Sequence, residues 1–434
     1  MSRSWGIVGG GLLGMTLALR LSKAGDRVTI FEDGPALGGL AAPWQLGDVT
    51  WDRHYHVTLL SDLALRGLLE ELGLDERMRW AVTRTGFYVD GRLYPFNDVA
   101  DFMRFPPLSL VEKARLGATI LLASKIRDWH ALEELTAIEW LRRYSGAGTV
   151  EKIWRPLLRA KLGPNAERAS AAFIWAIIAR MYAARRTGMK REMFGYVEGG
   201  YANILASFEA LLKRIGVEVR TSARVTSVER SGDGGVCIET AAGSDRFDNV
   251  VVTLASPLTA RVCSALSERE REAHSAVEYQ GIVCASLLLD EPLAGYYVTN
   301  ITDRWVPFTA VIEMTALIDR EFTSGRSLVY LPKYLTPADP AFALTDDELQ
   351  DEFLRALSRM YPHFRREQVR AFRVSRVKYV LPISTVGYSH RVPPVRTSVP
   401  GLYTVNSAHI VNGTLNVNET VQLAERTATE LLAS

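Results

Sequence analysis

Cysteine is scarce in this chain of 434 residues, which contains three widely spaced cysteines and no C-x-x-C pair. This scarcity excludes a disulfide framework and a cysteine-based zinc site, and it fits a reducing compartment. An excess of one charge is also lacking, because 51 basic and 49 acidic residues leave a net charge of +2. No basic run carries interleaved aromatic residues, so nucleic acid is not an expected partner. The slight basicity is compatible with anionic substrates and with transient contact with a membrane surface.

Long hydrophobic runs are missing as well. The longest uncharged apolar stretches, 116–124 and 169–179, reach about half of the roughly 20 residues that a membrane-spanning helix needs. The first residues lack the basic, apolar and small-residue regions of a secretory signal. We therefore expect a cytoplasmic protein without an integral membrane span. No Ser-His-Asp set, P-loop or paired-carboxylate signature is apparent.

Glycine is concentrated near the start of the chain. The stretch "WGIVGGG" predicts a short buried strand, "LLGMTLALRLSKAG" predicts a helix that ends near Gly25, and "DRVTIFED" predicts a second strand. Between the first strand and the helix stand Gly9, Gly11 and Gly14, in the pattern G-x-G-x-x-G. The first glycine permits a tight turn, the second lets backbone N–H groups approach a pyrophosphate, and the third allows close packing of helix and strand.

An acidic residue completes this dinucleotide-binding pattern. Glu32 ends the second strand about 20 residues after the glycines, where a carboxylate can accept hydrogen bonds from a ribose diol. A carboxylate at this place disfavours a 2′-phosphate, so NAD or FAD is expected rather than NADP.

A second glycine pair distinguishes between these two dinucleotides. Gly38 and Gly39 follow the acid in "DGPALGGLAAPWQLGDVTWDRHYHV", and a pair there suits a backbone lying against a second phosphate or the ribityl chain of a flavin. Here the sequence resembles the superfamily of flavin amine oxidases, protoporphyrinogen oxidases and phytoene desaturases. That family usually has arginines around the pair, whereas this chain has Leu37 and Leu40.

Two later stretches carry the same resemblance. "YVEGGYANILASFEALL" with the following strand and hairpin is similar to the segment where the family returns to its FAD domain, and there the residue matching Val225 packs near the adenine. The C-terminal "PGLYTVNSAHIVNGTLNVNETVQLAERTATELL" resembles the closing FAD motif. An acid is common there after the strand, while this chain has Asn406, whose amide can still bond a ribityl hydroxyl.

The final helix is expected to begin at "LNVNETVQLAE" with its N-terminus toward the flavin ring. Its free N–H groups and positive end can stabilise negative charge on reduced flavin. Asn416 or Asn418 is also a good N-cap residue, and the two roles are compatible.

The resemblance implies FAD as the cofactor, held non-covalently because no cysteine lies in the C-terminal motif. The residues predicted to bind it are Gly9, Gly11, Leu12, Leu13, Gly14, Glu32, Asp33, Gly38, Gly39, Leu40, Val225, Asn406, Leu415, Asn416 and Val417.

The resemblance also implies an α/β fold with a Rossmann-like FAD-binding domain built from discontinuous segments. These segments are 1–86, 193–278 and 395–434, and residues 87–192 and 279–394 are expected to form an α+β substrate domain. The first inserted block shows helical spacing and the second shows strands, which predicts a mixed sheet with a helical cap. "TGFYVDGRLYPF" predicts a hairpin that turns at Asp90-Gly91.

Four residues are candidates for catalysis. His54 and His56 lie in a region that passes near the flavin in the resembling enzymes, which include UDP-galactopyranose mutase, and for both a structural role is the alternative. Two histidines without a third ligand do not predict a metal site. Lys333 is a candidate because some amine oxidases hold an active-site water with a lysine, and Tyr388 lies in the same strand-rich block.

Two helical stretches of the first block concentrate cationic side chains. A solvated helix face is the favoured interpretation, and an anion-binding cavity is the alternative. These side chains are Arg155, Arg159, Lys161, Arg180, Arg185 and Arg186.

The predicted function is that of an FAD-dependent oxidoreductase of the amine oxidase and protoporphyrinogen oxidase type, acting on a C–N or C–C unit of a small molecule. One alternative is a mutase-like, non-redox use of FAD on a sugar nucleotide. A second alternative is a flavin-binding protein without turnover.

Overall fold

The computed structural model describes residues 2–185, 193–232 and 234–433. Its strands are β1 (Ser4–Val8), β2 (Arg27–Phe31), β3 (Pro43–Leu46), β4 (Val49–Asp52), β5 (Thr58–Leu59), β6 (Met78–Val82), β7 (Thr85–Val89), β8 (Arg92–Pro95), β9 (Met193–Val197), β10 (Glu218–Arg220), β11 (Val225–Arg230), β12 (Val236–Thr240), β13 (Gly243–Phe247), β14 (Asn249–Val252), β15 (Tyr279–Leu289), β16 (Val298–Ile301), β17 (Ala310–Glu313), β18 (Ser327–Leu335), β19 (Val369–Pro382) and β20 (Leu402–Thr404). Its helices are α1 (Leu12–Lys23), α2 (Leu63–Glu71), α3 (Val99–Arg104), α4 (Leu110–Ala123), α5 (His130–Glu133), α6 (Ala137–Ser145), α7 (Ala147–Thr149), α8 (Arg155–Leu162), α9 (Ala171–Arg185), α10 (Gly200–Arg214), α11 (Ser256–Val262), α12 (Glu268–Ser275), α13 (Asp346–Met360) and α14 (Val417–Leu432).

A five-stranded parallel sheet forms the nucleotide-binding half of the molecule. Its strand order is β10-β2-β1-β14-β20, and every neighbouring pair is parallel. The central strand β1 is almost entirely buried, as parallel strands covered on both faces must be. This sheet confirms the predicted Rossmann-like fold, and its strands come from three stretches of chain that are far apart in sequence.

Helix α1 follows the glycine loop and packs against α14 and β2. It ends at Lys23, and Gly25 follows with φ of +95°, a left-handed conformation that favours glycine. On its outer face the Arg20 guanidinium bonds the carboxylates of both Glu71 and Glu425 at 2.7 to 2.9 Å. This half-buried network ties α1 to α2 and α14, which positions the start of α14 relative to the glycine loop.

A seven-stranded mixed sheet forms the second half, in the order β19-β15-β18-β17-β16-β7-β8. Its neighbours are antiparallel except for the parallel pair of β16 and β7. Helix α13, capped by Thr345, covers one face, while the other face packs against Trp51 of β4 and its surroundings. The predicted hairpin is present, with Asp90 and Gly91 both at positive φ between β7 and β8.

The predicted helical cap consists of α3 to α9, and its apolar core is continuous with Leu381 at the end of β19. The stretch "TVEKIWRPLLRAKLG" is not one regular helix, because the π-helical turn Val150–Trp154 separates α7 from α8. The fold class of a Rossmann-like domain with a sheet and a helical cap is therefore confirmed.

One predicted strand is divided in the structure. "VEVRTSARVTSVE" reads as a single strand in sequence, but β10 joins the parallel sheet while β11 starts a separate antiparallel sheet with β12 and β13. Ser222 lies between them with φ of +51°, which turns the chain from one sheet to the other. The predicted limit between 86 and 87 falls inside β7, and the division into domains stays a prediction.

Candidate active site

The loop between β1 and α1 leaves room for a ligand at one glycine and forbids a side chain at the two others. A Cβ at Gly9, where φ is +111°, would lie 2.4 Å from Thr253 Oγ1, and a Cβ at Gly14 would lie 2.1 Å from the Gly9 carbonyl oxygen. At Gly11 the nearest atom to such a Cβ is Gly39 Cα at 4.0 Å. Helix α1 has no side-chain cap, so its N–H groups and positive end are available to a phosphate.

Glu32 is held beside this loop by the backbone. Its Oε2 accepts from the Gly10 N–H and its Oε1 accepts from the Gly34 N–H, both at 2.7 Å. Each carboxylate oxygen has a second lone pair, so both can still accept from ribose hydroxyls. Asp33 differs, because its exposed carboxylate forms an ion pair with Arg224 at 3.0 Å.

The chain that leads to Val225 runs alongside Glu32. The N–H of Ala223 donates to the Glu32 carbonyl and that of Ser222 to the Gly34 carbonyl, each at 2.8 Å. Val225 then begins β11 and remains partly buried against the apolar core of that sheet. The residues predicted for the adenosine end therefore lie on adjacent segments.

The second glycine pair packs directly on the first loop. The Gly38 N–H donates to the Gly10 carbonyl at 2.8 Å, and both Gly38 and Gly39 have positive φ. A Cβ at Gly39 would come within 3.1 Å of Gly11 Cα, so the two glycine loops meet backbone to backbone.

Arg53 is a residue at this junction that the sequence reasoning missed. Its Nη2 donates to the Gly39 carbonyl at 2.6 Å, while its buried Nε has no hydrogen-bond partner among the described residues. Burial, and then the nearby Arg373, lower the pKa of its guanidinium, against a smaller opposing influence of Glu32. The arginine in "TWDRHYHV" was the available signal, since it supplies a cation beside a glycine pair that lacks its usual flanking arginines.

The two candidate histidines have different surroundings. His54 Nδ1 lies 3.1 Å from the Leu40 carbonyl, and burial lowers the pKa of the ring to about 3, so His54 is neutral at pH 7. His56 packs on Tyr201 with 4.7 Å between ring centroids, and its Nδ1 is 3.7 Å from Asp52 Oδ2, longer than a hydrogen bond. His54 is therefore fixed to the backbone of the glycine segment, whereas His56 faces an aromatic wall.

Asp52 anchors this wall. Its Oδ1 accepts from the Tyr201 N–H at 2.8 Å, at the start of α10, and its carbonyl accepts from the Tyr330 hydroxyl at 2.6 Å. Gly200 has φ of +65°, and a Cβ there would lie 2.8 Å from Asp52 Oδ1. The "GG" before α10 thus allows the carboxylate to approach the helix N-terminus.

Aromatic side chains in two contacting pairs form a surface between the glycine segment and the seven-stranded sheet, which we call the recess. We define it by Tyr55, His56, Tyr201 and Tyr334, with Lys161 at its edge. The hydroxyls of Tyr55 and Tyr334 are 3.1 Å apart, and Lys161 Nζ lies 5.7 Å from the centroid of the Tyr334 ring. Burial raises the pKa of Tyr55, Tyr201 and Tyr334, so these phenols stay protonated at neutral pH.

The C-terminal motif is tightly bonded within the protein. Asn406 is 1% exposed, and its Oδ1 accepts from the Ala408 N–H at 2.9 Å and lies 3.3 Å from the hydroxyls of Ser256 and Tyr279. Its Nδ2 donates to Ser256 Oγ at 3.2 Å. One amide hydrogen is left for a ribityl hydroxyl, so this role of Asn406 stays a prediction.

The start of α14 is capped as predicted. Asn416 accepts from the Glu419 N–H at 3.1 Å, while Asn418 turns away and accepts from the N–H groups of Ala64 and Leu65 at the start of α2. Leu415 is partly buried and touches the apolar cores of both halves. Val417 is the first residue of α14, and its contact with FAD stays a prediction.

Lys333 and Tyr388 lie apart from the recess. Side chains alternate along β18, so Tyr334 faces the recess while Lys333 faces α13, where its Nζ lies 3.4 Å from Glu352 Oε1. The buried Tyr388 hydroxyl donates to the Ala408 carbonyl at 2.9 Å. These positions give both residues structural contacts, and neither belongs to the recess.

Of the four described candidates for anion binding in the cap, three pair with a described carboxylate and one does not. Arg155 and Arg159 both pair with Glu167, at 2.6 and 3.0 Å, as a solvated face does. Arg180 pairs with the buried Asp62 at 2.8 Å. Lys161 alone among these four lies at the edge of the recess, which favours the anion-binding alternative for that residue.

The side chains of Arg185 and Arg186 lie outside the described residues. In the part of the chain that the structure covers, no group of three or more His, Cys, Asp or Glu side chains is arranged to hold a metal ion. Likewise, none of the described helices is both long and apolar enough to cross a membrane.

Comparison with known proteins gives one family match over nearly the whole chain. The model of the family described as flavin containing amine oxidoreductase matches residues 14–432. Coproporphyrinogen III oxidase of Mycobacterium tuberculosis is 28% identical over 293 residues, which cover 62% of this chain and 63% of that protein. The chain therefore spans less than two thirds of the length of that relative.

Two further similarities cover more of the chain. Carotenoid phi-ring synthase of Streptomyces griseus is 26% identical over 400 residues, which cover 83% of this chain and 74% of that protein. A crystal structure of an oxidoreductase from Methanosarcina mazei superposes with a TM-score of 0.75 at 21% identity, covering 98% of this chain and 100% of that one. At this identity the structural likeness shows the fold.

Proposed function

The chain belongs to the family of flavin-containing amine oxidoreductases, which are FAD-dependent oxidoreductases, and on this premise we propose that it moves a hydride from a C–N or C–C unit of a small organic substrate to non-covalently bound FAD. The observation that carries the proposal is the aromatic recess beside the two glycine loops. It offers apolar surface and protonated phenols next to the two glycine loops, where we expect FAD to bind. Hydride transfer to a flavin needs no protein nucleophile with an adjacent base.

The residues around the two glycine loops fit the pyrophosphate and ribose of FAD. Space at Gly11, free N–H groups at the start of α1 and the oriented carboxylate of Glu32 are the features that such a ligand requires. We expect Arg53 to add a cation at the Gly39 backbone, where the unpartnered Nε can donate to a phosphate oxygen.

When bound, FAD supplies the acceptance of two electrons as a hydride equivalent. The chain orients the substrate and keeps water away from it, through the rings of Tyr55, Tyr201 and Tyr334. His54, being neutral, holds the backbone at Leu40 and offers no proton at pH 7. His56 packs on Tyr201, and its Nδ1 has no hydrogen-bond partner among the described residues, so this nitrogen is available to a ligand in the recess.

The experiment is a reduction assay without oxygen. Purified protein with bound FAD is mixed with amines, unsaturated lipids and porphyrinogens, and flavin absorbance is followed in a stopped-flow instrument. A substrate of the proposed class bleaches the flavin, and the oxidised product is recovered in equal amount. Bound FAD that no substrate reduces would instead support a flavin-binding protein without turnover.

A mutase-like use of FAD on a sugar nucleotide is the second candidate, because Lys161 places positive charge at the edge of the recess. It predicts isomerisation by the reduced protein with no net oxidation of the sugar. A flavin–sugar adduct trapped by a mild reductant would favour it over the oxidoreductase. In either case we expect a small-molecule substrate in the cytoplasm.

A further inference from the structure

Lys161 projects from the last turn of α8 toward the sheet that forms the floor of the recess. Helix α8 packs on β18, and the Thr309 hydroxyl donates to the Ala160 carbonyl at 2.8 Å, which fixes the helix at this point. Lys161 Nζ then lies 5.7 Å from the Tyr334 ring centroid. This position places an ammonium group at the edge of an otherwise aromatic surface.

Among the described residues, no carboxylate compensates the charge of Lys161. Within the described residues, no carboxylate oxygen lies within 4 Å of Nζ and no hydrogen-bond acceptor is bonded to it, whereas its neighbours Arg155 and Arg180 pair with Glu167 and Asp62. Burial, and then the positive charge of Arg180, lower the pKa of Lys161 to about 8. The ammonium group is therefore mostly charged at pH 7 and has no counter-ion in the part of the chain that the structure describes.

Donors outnumber acceptors at this edge. The hydroxyls of Tyr55 and Tyr334 are bonded to each other at 3.1 Å, which uses one of their two hydrogens and leaves the other to a ligand. With the three N–H groups of Lys161, the edge offers several donors and a positive charge on half-buried side chains. An oxyanion is the ligand that satisfies such a set, because it accepts several hydrogen bonds and supplies the missing charge.

We propose that the edge formed by Lys161, Tyr55 and Tyr334 binds an oxyanion group, a carboxylate or a phosphate, carried by the substrate. This inference rests on the proposed function, since it assigns a chemical class to the substrate of the same recess. It also predicts that simple cationic amines bind poorly, because they would meet the ammonium group of Lys161. The substrate is thus an anionic molecule with an apolar part that fits the aromatic rings.

The test is the binding of three small probes to the FAD-loaded protein, measured by isothermal titration calorimetry. Benzoate represents a carboxylate, phenyl phosphate a phosphate and benzylamine a cationic amine of similar size. The variants are Lys161→Met, which removes the charge, and Lys161→Arg, which retains it. Lys152→Met is the matched control, since Lys152 is exposed nearby and pairs with Glu112.

We expect benzoate or phenyl phosphate to bind and benzylamine to bind more weakly. Lys161→Met lowers the affinity for the anion by about ten-fold or more, as expected for the loss of a hydrogen bond from a charged group. Lys161→Arg retains most of the affinity, and Lys152→Met equals the native protein. The anionic probe that binds more tightly indicates whether the substrate carries a carboxylate or a phosphate.

Three results would overturn the inference: no binding of either anion, equal anion binding by Lys161→Met, or tighter binding of benzylamine. If Lys161→Met does not fold, the Tyr334→Phe variant provides the test, because loss of the Tyr334 hydroxyl should lower the affinity for the anion several-fold. The FAD content of each sample is read from its visible spectrum. Protein that cannot bind FAD contradicts the proposed function, whereas FAD-loaded protein without anion binding contradicts this inference.

Discussion

Replacing Lys161 with methionine should make the protein more stable at neutral pH. The pKa of Lys161 is about 8 in the folded protein, against 10.5 for an ordinary lysine. Each factor of ten in proton affinity corresponds to about 1.4 kcal/mol, so keeping this ammonium charged in the fold costs about 3 kcal/mol. Loss of the contact with the Tyr334 ring offsets up to about 1 kcal/mol, which leaves an expected gain of about 2 kcal/mol.

The dependence on pH has a definite sign. Because the folded pKa lies below the unfolded pKa, the cost is fully present below pH 8, where both states are protonated. It disappears as the pH rises toward 10.5, where the folded state has released its proton and the unfolded chain still holds one. The stability advantage of Lys161→Met should therefore shrink over this interval.

The assay is urea unfolding of both proteins at pH 7 and near pH 10, with FAD in excess. Other titrating groups are common to both proteins and cancel in the difference. Lys152→Met serves again as control and should be no more stable than the native protein, because it loses an exposed ion pair with Glu112. A Lys161→Met protein that is less stable than the native protein at pH 7, or whose gain in stability persists at high pH, would contradict a cost of burying the Lys161 ammonium group.

Three further predictions concern FAD binding. Glu32→Ala should weaken FAD by about 1.5 to 3 kcal/mol, the scale of a hydrogen bond to a charged group, and unchanged affinity in a fluorescence titration would count against its ribose role. Gly14→Ala should abolish FAD retention, because the new methyl group would lie 2.1 Å from the Gly9 carbonyl oxygen. Gly67→Ala has open space around it and should retain FAD. Equal FAD retention by the two variants would contradict the packing argument. Arg53→Met should lower the affinity for FAD about ten-fold, and Arg53→Lys should lower it less. If equilibrium dialysis finds the same FAD affinity in both variants as in the native protein, Arg53 does not belong to the site.

The nucleotide-binding elements could be predicted from sequence because their signals are local. The G-x-G-x-x-G pattern, the helical spacing of α1 and the acid at the end of β2 lie within about 30 residues. The cap at Asn416 and the turn at Asp90-Gly91 were predictable for the same reason, since a cap or a tight turn depends on neighbouring residues.

The recess could not be predicted, because it depends on contacts between distant strands. Neighbouring residues of β18 face opposite sides, and the sequence does not say which side meets the Tyr55 segment. From sequence, Lys333 is therefore a candidate for a catalytic lysine, although it faces Glu352, while Lys161 is one of several cations on an expected solvated helix face. The pairing of Tyr55 with Tyr334 spans 279 residues and is visible in the fold alone.

Backbone turns between sheets were hidden for a related reason. The apolar alternation of "VEVRTSARVTSVE" continues through Ser222, so the change from β10 to β11 leaves no clear break in the pattern. Arg53 was missed because its contact with the Gly39 carbonyl joins two segments that the hairpin of β3 and β4 separates.

Non-covalent binding of FAD is tested most simply by the visible absorption spectrum of the purified protein, recorded before and after anaerobic dithionite, with identification of the released cofactor. A protein that holds FAD non-covalently should show a two-banded yellow spectrum that bleaches on reduction, and it should release FAD on denaturation without proteolysis. A colourless protein that cannot be reconstituted with FAD would contradict it.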